Sequence, residues 1–293
     1  MLRTHLPRRA VRCLVTVLAT GTVVAGLGTT GASAAGTGSR ASAKVDGSQV
    51  TCTSHRPGLA SRLSQDIAGA LRGRQAASAL AIYDRTTDTS CTFRAGARFD
   101  SASVVKVTVL GALLRKVMEE GRHLTPREVT LTKAMITKSD NDSTSALWRQ
   151  LGPKSVQRFL DLAGMRETVP GSKGYWGRTQ ITAGDQLKLL RLLTSGNTVL
   201  DQDARGYALG LMNRVVPAQR WGVPAGASGS ATVHLKNGWL ERETKGWRVH
   251  SVGVFTGHGH DYGIVVLSDG NRTMKDGIAG IQGAARAINR DLP

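Results

Sequence analysis

A serine and a lysine lie three residues apart in a strongly apolar part of the chain. Ser103 and Lys106 form the only Ser-x-x-Lys pattern in the 293 residues, and residues at this spacing share one face of a helix. The valines around them indicate a buried helix, and burial disfavours the charged form of a lysine. A neutral amine beside a hydroxyl is a general base beside a nucleophile. The alternative is a helix-capping serine followed by a lysine whose stem covers apolar surface.

A second polar cluster, Ser139-Asp140-Asn141, falls where one predicted helix ends and the next begins. The hydroxyl of Ser139 could relay a proton to a leaving group, and the amide of Asn141 could hold a substrate amide. Asp140 and Asn141 could equally cap the following helix, because these residue types are favoured at that position.

A third cluster, Lys236-Asn237-Gly238, stands at the end of an apolar strand predicted to begin at residue 231. The cation of Lys236 could bind a substrate carboxylate, and Asn237 could donate a hydrogen bond to the same group. Gly238 would let a ligand approach the backbone closely. Taken by itself, the cluster could also be an ordinary strand end.

The elements that would position these clusters follow from hydrophobic periodicity and turn residues. Helices are predicted over 57–72, 103–120, 126–138, 142–151, 153–164, 182–195, 202–213 and 273–290. Strands are predicted over 79–83, 91–94, 231–238, 247–256 and 262–268. This order predicts an α/β (α+β) protein, in which a mostly antiparallel sheet is assembled from both ends of the chain and is flanked by helices. The middle of the chain forms an all-helical subdomain.

The three clusters, in this order and on these elements, resemble the motifs of the penicillin-recognising serine hydrolases, and those of the class A β-lactamases most closely. The resemblance covers about residues 57–290. It implies a catalytic domain over 51–293, with an α/β part (51–101 and 226–293) against a helical part (102–225) and the site between them. The catalytic residues that it implies are Ser103, Lys106 and Ser139. The substrate-binding residues that it implies are Asn141, Lys236, Asn237, Gly238 and Trp239, and the backbone N–H groups of Ser103 and Trp239 would form an oxyanion hole.

The chain departs from the pattern of these enzymes in ways that bear on turnover. Their third motif carries a hydroxyl where this chain has Asn237, and their first two motifs lie farther apart. Class A enzymes hydrolyse the acyl-enzyme with a glutamate in a Glu-x-x-Leu-Asn segment, which is absent here. The corresponding stretch, 165–182, contains Glu167 as its single acidic residue. Acylation of Ser103 is therefore better supported than rapid deacylation.

The N-terminus has the three regions of a secretory signal. Four arginines precede the apolar stretch 13–27, and the small residues 32–34 follow it, so residues 1–34 are predicted to be a signal peptide cleaved near Ala34. The apolar stretch is short for a bilayer span, so no stable membrane anchor is expected. Arg8-Arg9 leaves open whether export uses the general or the twin-arginine route. Residues 35–50 are predicted to be a flexible leader.

The cysteines and the net charge add expectations about compartment and partners. Cys52 and Cys91 are predicted to pair after export, the alternative being two separate thiols. The cysteines and histidines are not spaced like the ligands of a zinc site, and no metal or cofactor is expected. The formal charge is +18, and +14 remains after loss of the four signal arginines. Such a charge predicts non-specific attraction to anionic cell-wall polymers, whereas no pattern for specific nucleic-acid binding is present.

These observations predict a secreted, monomeric serine hydrolase that forms an acyl-enzyme at Ser103 with a small-molecule β-lactam or a peptidoglycan-type amide. A D-alanyl-D-alanine peptidase or penicillin-binding enzyme is the alternative within the same class. A non-catalytic cell-wall-binding protein is the alternative from another class.

Overall fold

The computed structural model describes residues 38–243 and 245–292. The predicted signal peptide lies outside the described residues, as does the beginning of the predicted leader. All the described residues belong to one compact unit. In the described part of the chain, no helix is both long enough and apolar enough to cross a membrane.

Seven of the nine strands in the described part of the chain form one sheet in which every neighbouring pair is antiparallel. The strands are β1 (Ser39–Val45), β2 (Ser48–Ser54), β3 (Ala77–Asp84), β4 (Thr89–Phe93), β5 (Phe99–Asp100), β6 (Gln180–Ile181), β7 (Thr232–Arg242), β8 (Gly246–Gly257) and β9 (His260–Asn271). The order across the large sheet is β1-β2-β4-β3-β9-β8-β7, and β5 pairs with β6 separately. Strands from both ends of the chain thus meet at β3 and β9, which confirms the predicted architecture.

Helices cover both faces of this sheet. They are α1 (Leu59–Leu71), α2 (Val105–Glu119), α3 (Pro126–Thr137), α4 (Asn141–Leu162), α5 (Ala183–Thr194), α6 (Gln202–Asn213) and α7 (Met274–Asp291). Alternate side chains of β3 face opposite layers, as the two-residue period of a strand requires. Leu80 and Ile82 pack with α1 and α7, whereas Ala79 and Ala81 join the core formed by the helices of the middle of the chain. The sheet is therefore the central layer between two hydrophobic cores.

The helix α4 is interrupted where the sequence predicts two helices. Gly152 has φ 66° and ψ 166°, which lie outside the helical region, and Pro153 follows it. Proline has no N–H to donate to the preceding turn, so the helical hydrogen bonding is broken there. The separate helices predicted over 142–151 and 153–164 are confirmed as the two segments of α4.

The flexible leader predicted over 35–50 is wrong from Ser39 onward, because β1 and β2 form a hairpin. Asp46 and Gly47 connect the strands with φ values of 45° and 75°, the left-handed conformation that an Asp-Gly hairpin turn uses. Val45 and Val50 are buried against the neighbouring helix layer. The Asp-Gly pair was the sequence signal for this hairpin, but the glycine- and serine-rich composition around it obscured the alternation.

The predicted disulfide is confirmed. Cys52 in β2 lies directly opposite Cys91 in β4, and their sulfur atoms are bonded. Both residues are buried in the core under α1. The bond therefore ties the N-terminal hairpin to the interior of the sheet.

Removing this disulfide should destabilise the fold without altering its architecture. The two cysteines are 39 residues apart, and a loop of this length corresponds to about 3 to 4 kcal/mol of unfolding free energy. The double variant Cys52→Ala/Cys91→Ala should show a lower denaturant midpoint than the oxidised protein. Adding a reductant should lower the midpoint of the wild type and leave that of the double variant unchanged. Equal midpoints for the oxidised wild type and the double variant would contradict this role.

Candidate active site

Ser103 and Lys106 lie at the start of α2, next to the edge of the large sheet. Ser103 is part of a single 3₁₀ turn, Ala102–Val104, that leads directly into the helix. Ala102 has φ 46°, a left-handed conformation that is costly for a residue with a β-carbon and is often found at functional sites. Lys106, one turn further, is completely buried.

The amine of Lys106 makes three polar contacts with the second cluster. Its Nζ atom donates to the backbone oxygen of Ser139 at 2.5 Å and to Oδ1 of Asn141 at 2.8 Å, and it lies 3.1 Å from Oγ of Ser139. Ser139 has φ 60°, a conformation that turns both its carbonyl and its hydroxyl toward the lysine. Asp140 instead caps α4, where its Oδ1 accepts from the N–H of Ser143. Asp140 is therefore a capping residue, whereas Ser139 and Asn141 contact the amine of Lys106.

Lys236 reaches the same hydroxyl from the sheet. Its Nζ donates to Oγ of Ser139 at 3.0 Å and to the backbone oxygen of Asn237 at 2.8 Å, and its side chain is fully buried. The third cluster lies inside β7 and not at a strand end, because β7 stays paired with β8 as far as Arg242. One hydroxyl, that of Ser139, is therefore shared by two lysines that are remote from each other in sequence.

Burial lowers the affinity of both lysines for a proton. The pKa of Lys106 falls to about 7, because burial penalises its ammonium form more than the charge of Asp140 favours it. The pKa of Lys236 also falls well below its ordinary value, through burial and through repulsion from Lys106. Two adjacent ammonium groups in an apolar site are costly. Near neutral pH, Lys106 can therefore act as a proton acceptor.

The hydroxyl of Ser103 makes no hydrogen bond with any described residue, so the expected contact with Lys106 is not formed. All three polar contacts of the Lys106 amine go to Ser139 and Asn141. Ser103 is half-buried. Its Oγ is therefore free to meet a ligand.

Gly238 lets the edge strand come close to the Ser103 turn. A β-carbon at this position would lie 2.9 Å from the backbone nitrogens of both Ser103 and Val104, closer than such atoms can approach without a shift of the backbone. Trp239 follows on the same strand, and its ring lies 5.9 Å from that of Trp221. The absence of a side chain at Gly238 thus lets β7 lie against the turn that carries Ser103.

The side chain of Asn237 does not point its amide hydrogens at a substrate site, contrary to the expectation that it donates to a carboxylate. Its Nδ2 donates at 2.8 Å to the backbone oxygens of both Gln219 and Trp221. The side chain is 1% exposed, and its Oδ1 has no hydrogen-bond partner in the described chain. Both donor hydrogens are therefore used to fasten the segment 219–221 to β7, and none is left for a substrate.

The segment 165–182 places an indole, and no carboxylate, over Lys106. The ring centroid of Trp176 lies 5.0 Å from Nζ of Lys106, and its Nε1 donates to Oγ of Ser145 at 3.1 Å. Glu167 points away, paired with Arg98 at 3.2 Å with both side chains about half exposed. The sequence did not single out Trp176, and its only signal was an aromatic residue among the glycines of a segment without periodicity.

No three His, Cys, Asp or Glu side chains among the described residues are grouped so that they could hold a metal ion. The chemistry available at the site is that of two hydroxyls, two amines, an amide and backbone N–H groups. Such a set suits nucleophilic attack with proton transfer by amines.

Comparison with known proteins decides the family. The model of the beta-lactamase enzyme family matches residues 128–292. The chain belongs to this family. The match contains the second and third clusters and begins after Ser103 and Lys106, whose assignment depends on the geometry described above.

One curated relative matches part of the chain. The Mycobacterium tuberculosis protein LppW, whose name describes it as a candidate lipoprotein, is 26% identical over 182 residues, which are 60% of this chain and 58% of that protein. The chain thus matches little more than half the length of this curated relative.

Two solved structures show the same fold. The β-lactamase of Sphaerobacter thermophilus is 19% identical, with a TM-score of 0.66 over 78% of this chain and 95% of the other. The protein PBP-A is 19% identical, with a TM-score of 0.68 over 79% and 96% of the two chains. At these identities the likeness establishes the fold, and the chemistry has to be argued from the site itself.

Replacing Gly238 should disturb the contact between β7 and the Ser103 turn. In Gly238→Ala, the new methyl group must push the strand and the turn apart, which should lower the free energy of unfolding by about 1 to 3 kcal/mol. Gly69→Ala is a matched control, because Gly69 lies in α1 with nothing within 4 Å of the added carbon; this change should stabilise by about 0.5 to 1 kcal/mol. Thermal unfolding of the two variants measures the difference. A Gly238→Ala variant as stable as the wild type would contradict the close approach.

Proposed function

We propose that the protein is an active-site-serine hydrolase that is acylated on Ser103 by a β-lactam or a related amide. The observation that carries this proposal is the placement of the Ser139 hydroxyl between the amines of Lys106 and Lys236, beside a turn that presents Ser103. A buried hydroxyl held by two amines is a route for moving a proton.

The residues of the site can be given complementary roles in acylation. Oγ of Ser103 attacks the carbonyl carbon of the amide, and its proton passes to the neutral amine of Lys106. Ser139 then delivers its proton to the leaving nitrogen as the C–N bond breaks and takes back the proton held by Lys106, which lies 3.1 Å from its Oγ. Lys236 keeps the Ser139 hydroxyl oriented. The N–H groups of Ser103 and Trp239 stabilise the negative charge that develops on the carbonyl oxygen. Asn141 holds the Lys106 amine and remains available to a substrate amide.

The position of Glu167 favours a penicillin-binding or peptidase-like enzyme over a β-lactamase with rapid turnover. Glu167 lies away from the site, and none of the hydrogen bonds of Lys106 within the described chain goes to a carboxylate. A base that could activate water for the second step is therefore not supplied by the segment 165–182. The ester at Ser103 should be long-lived.

The protein is proposed to act outside the cytoplasm. The disulfide between Cys52 and Cys91 suits an oxidising compartment, and the arginine-rich, apolar N-terminus suits export. The match to a candidate lipoprotein supports export as well. The formal charge of +14 that remains after loss of the four signal arginines would favour accumulation near anionic cell-wall polymers, which are close to a peptidoglycan-type substrate.

Intact-mass spectrometry with a penicillin tests the proposal. The wild type should gain the mass of one penicillin, and Ser103→Ala should gain none while keeping its circular dichroism spectrum. Thr108→Val is a matched control on the same helix, because the Thr108 hydroxyl is buried without a hydrogen-bond partner in the described chain; this variant should be labelled like the wild type.

Two results would overturn the proposal. Labelling that survives in Ser103→Ala would place the nucleophile elsewhere. A wild type that is folded and gains no mass from penicillins or from amide substrates would favour the non-catalytic cell-wall-binding alternative.

A further inference from the structure

We infer that Trp176 shields the amine of Lys106 from water and thereby protects the Ser103 acyl-enzyme from hydrolysis. This inference rests on the proposed function, since it concerns the fate of the acyl-enzyme. Trp176 forms no bond with the substrate carbonyl in this role. It is a positioning residue that acts by keeping water away from the base.

The surroundings of the Lys106 amine leave little room for water. Its three polar contacts are to the backbone oxygen of Ser139, Oγ of Ser139 and Oδ1 of Asn141. The indole of Trp176 lies over the same nitrogen, with the ring centroid at 5.0 Å. The amine is therefore enclosed by Ser139, Asn141 and the indole, and the indole is the cover that Trp176→Ala would remove.

Hydrolysis of the ester at Ser103 would require a water molecule in contact with the Lys106 amine. The oxygen of a water molecule must bond to the carbonyl carbon of the ester, and the bond from that carbon to Oγ of Ser103 must break. One water proton must pass to a neutral amine and then return to Oγ of Ser103. A water molecule that cannot touch the Lys106 amine cannot give up its proton there.

The indole is held in position by its own hydrogen bond and by the backbone beneath it. Nε1 of Trp176 donates to Oγ of Ser145, which lies one turn after Asn141 on α4. The N–H of Ser101 donates to the backbone oxygen of Thr179 at 2.8 Å, which fastens the Trp176 turn to the turn that carries Ser103. The cover over Lys106 is therefore built into the same contacts that position the nucleophile.

A sharp bend also fixes the segment that carries the indole. A β-carbon at Gly171 would lie 2.1 Å from the backbone oxygen of Tyr175, so the chain folds back on itself too closely for any other residue. Val169 and Gln180 exchange two backbone hydrogen bonds of 2.9 Å. The loop between them is thus closed at its base, which limits how far Trp176 can swing away from Lys106.

The test compares the formation and the loss of the penicillin adduct in four proteins, the wild type, Trp176→Ala, Trp176→Phe and Ser145→Ala. A fluorescent penicillin labels each protein, the free label is removed, and the remaining adduct is followed over time by fluorescence and by intact mass. The half-life of the adduct in Trp176→Ala should fall about tenfold or more, because water reaches the amine. Trp176→Phe keeps an apolar cover and should stay close to the wild type, whereas Ser145→Ala frees the indole and should give an intermediate half-life.

The rate of labelling separates water exclusion from a general disturbance of the site. Acylation should change little in the three variants, since the contacts of Lys106 with Ser139 and Asn141 remain. Ser145→Ala and Trp176→Phe keep the inference testable if Trp176→Ala does not fold.

The outcomes distinguish the inference from the proposed function. Adducts that form in all four proteins and decay at one rate would overturn the role of Trp176 and leave the acylation of Ser103 intact. Folded variants that lose labelling altogether would give Trp176 a role in acylation and would also overturn the inference. A wild type without any adduct would overturn the proposed function, and the inference with it.

Discussion

Two buried lysines that share one hydroxyl are the constraint on which the rest of this site depends. Lys106 comes from the helical part of the molecule and Lys236 from the edge of the sheet, and both reach Oγ of Ser139. Burying two amines is costly unless their polar atoms are satisfied and at least one of them loses its charge. The shared hydroxyl and the nearby amide of Asn141 satisfy the polar atoms. Burial itself favours the neutral amine that the proposed acylation requires.

The fold keeps this arrangement closed by bringing backbone segments unusually close together. Gly238 allows β7 to approach the turn of Ser103. Asn237 donates both of its amide hydrogens to backbone oxygens of the segment 219–221. The indole of Trp176 also covers the amine of Lys106. Both lysines are completely buried, and electrostatic interactions are stronger where water is excluded. In the proposed reaction, Lys106, Ser139 and the Ser103 turn supply the reactivity toward an amide, and the cover by Trp176 protects the ester from water.

Much of the fold and of the candidate site could be predicted from the sequence. The helices and the strands have clear periodicity, and the three clusters lie at recognisable positions along them. The hairpin at Asp46 and Gly47 was missed, since a glycine- and serine-rich composition outweighed a specific turn signal. The orientation of Asn237 depends on backbone oxygens in another part of the chain, and local pattern carries no information about them. The position of Trp176 depends in the same way on how an aperiodic segment folds back onto α2 and α4.

The most direct test of a neutral Lys106 is its titration in the folded protein. With ¹³C at the ε position of every lysine, the resonance of Lys106 can be assigned by its disappearance in Lys106→Arg and followed by NMR as the pH is changed. A midpoint of about 7 is expected, with the amine charged below that pH and neutral above it, where it can accept the proton of Ser103. A midpoint near the ordinary value of 10.5 would mean that Lys106 is an ammonium ion at neutral pH, and would contradict its role as the base.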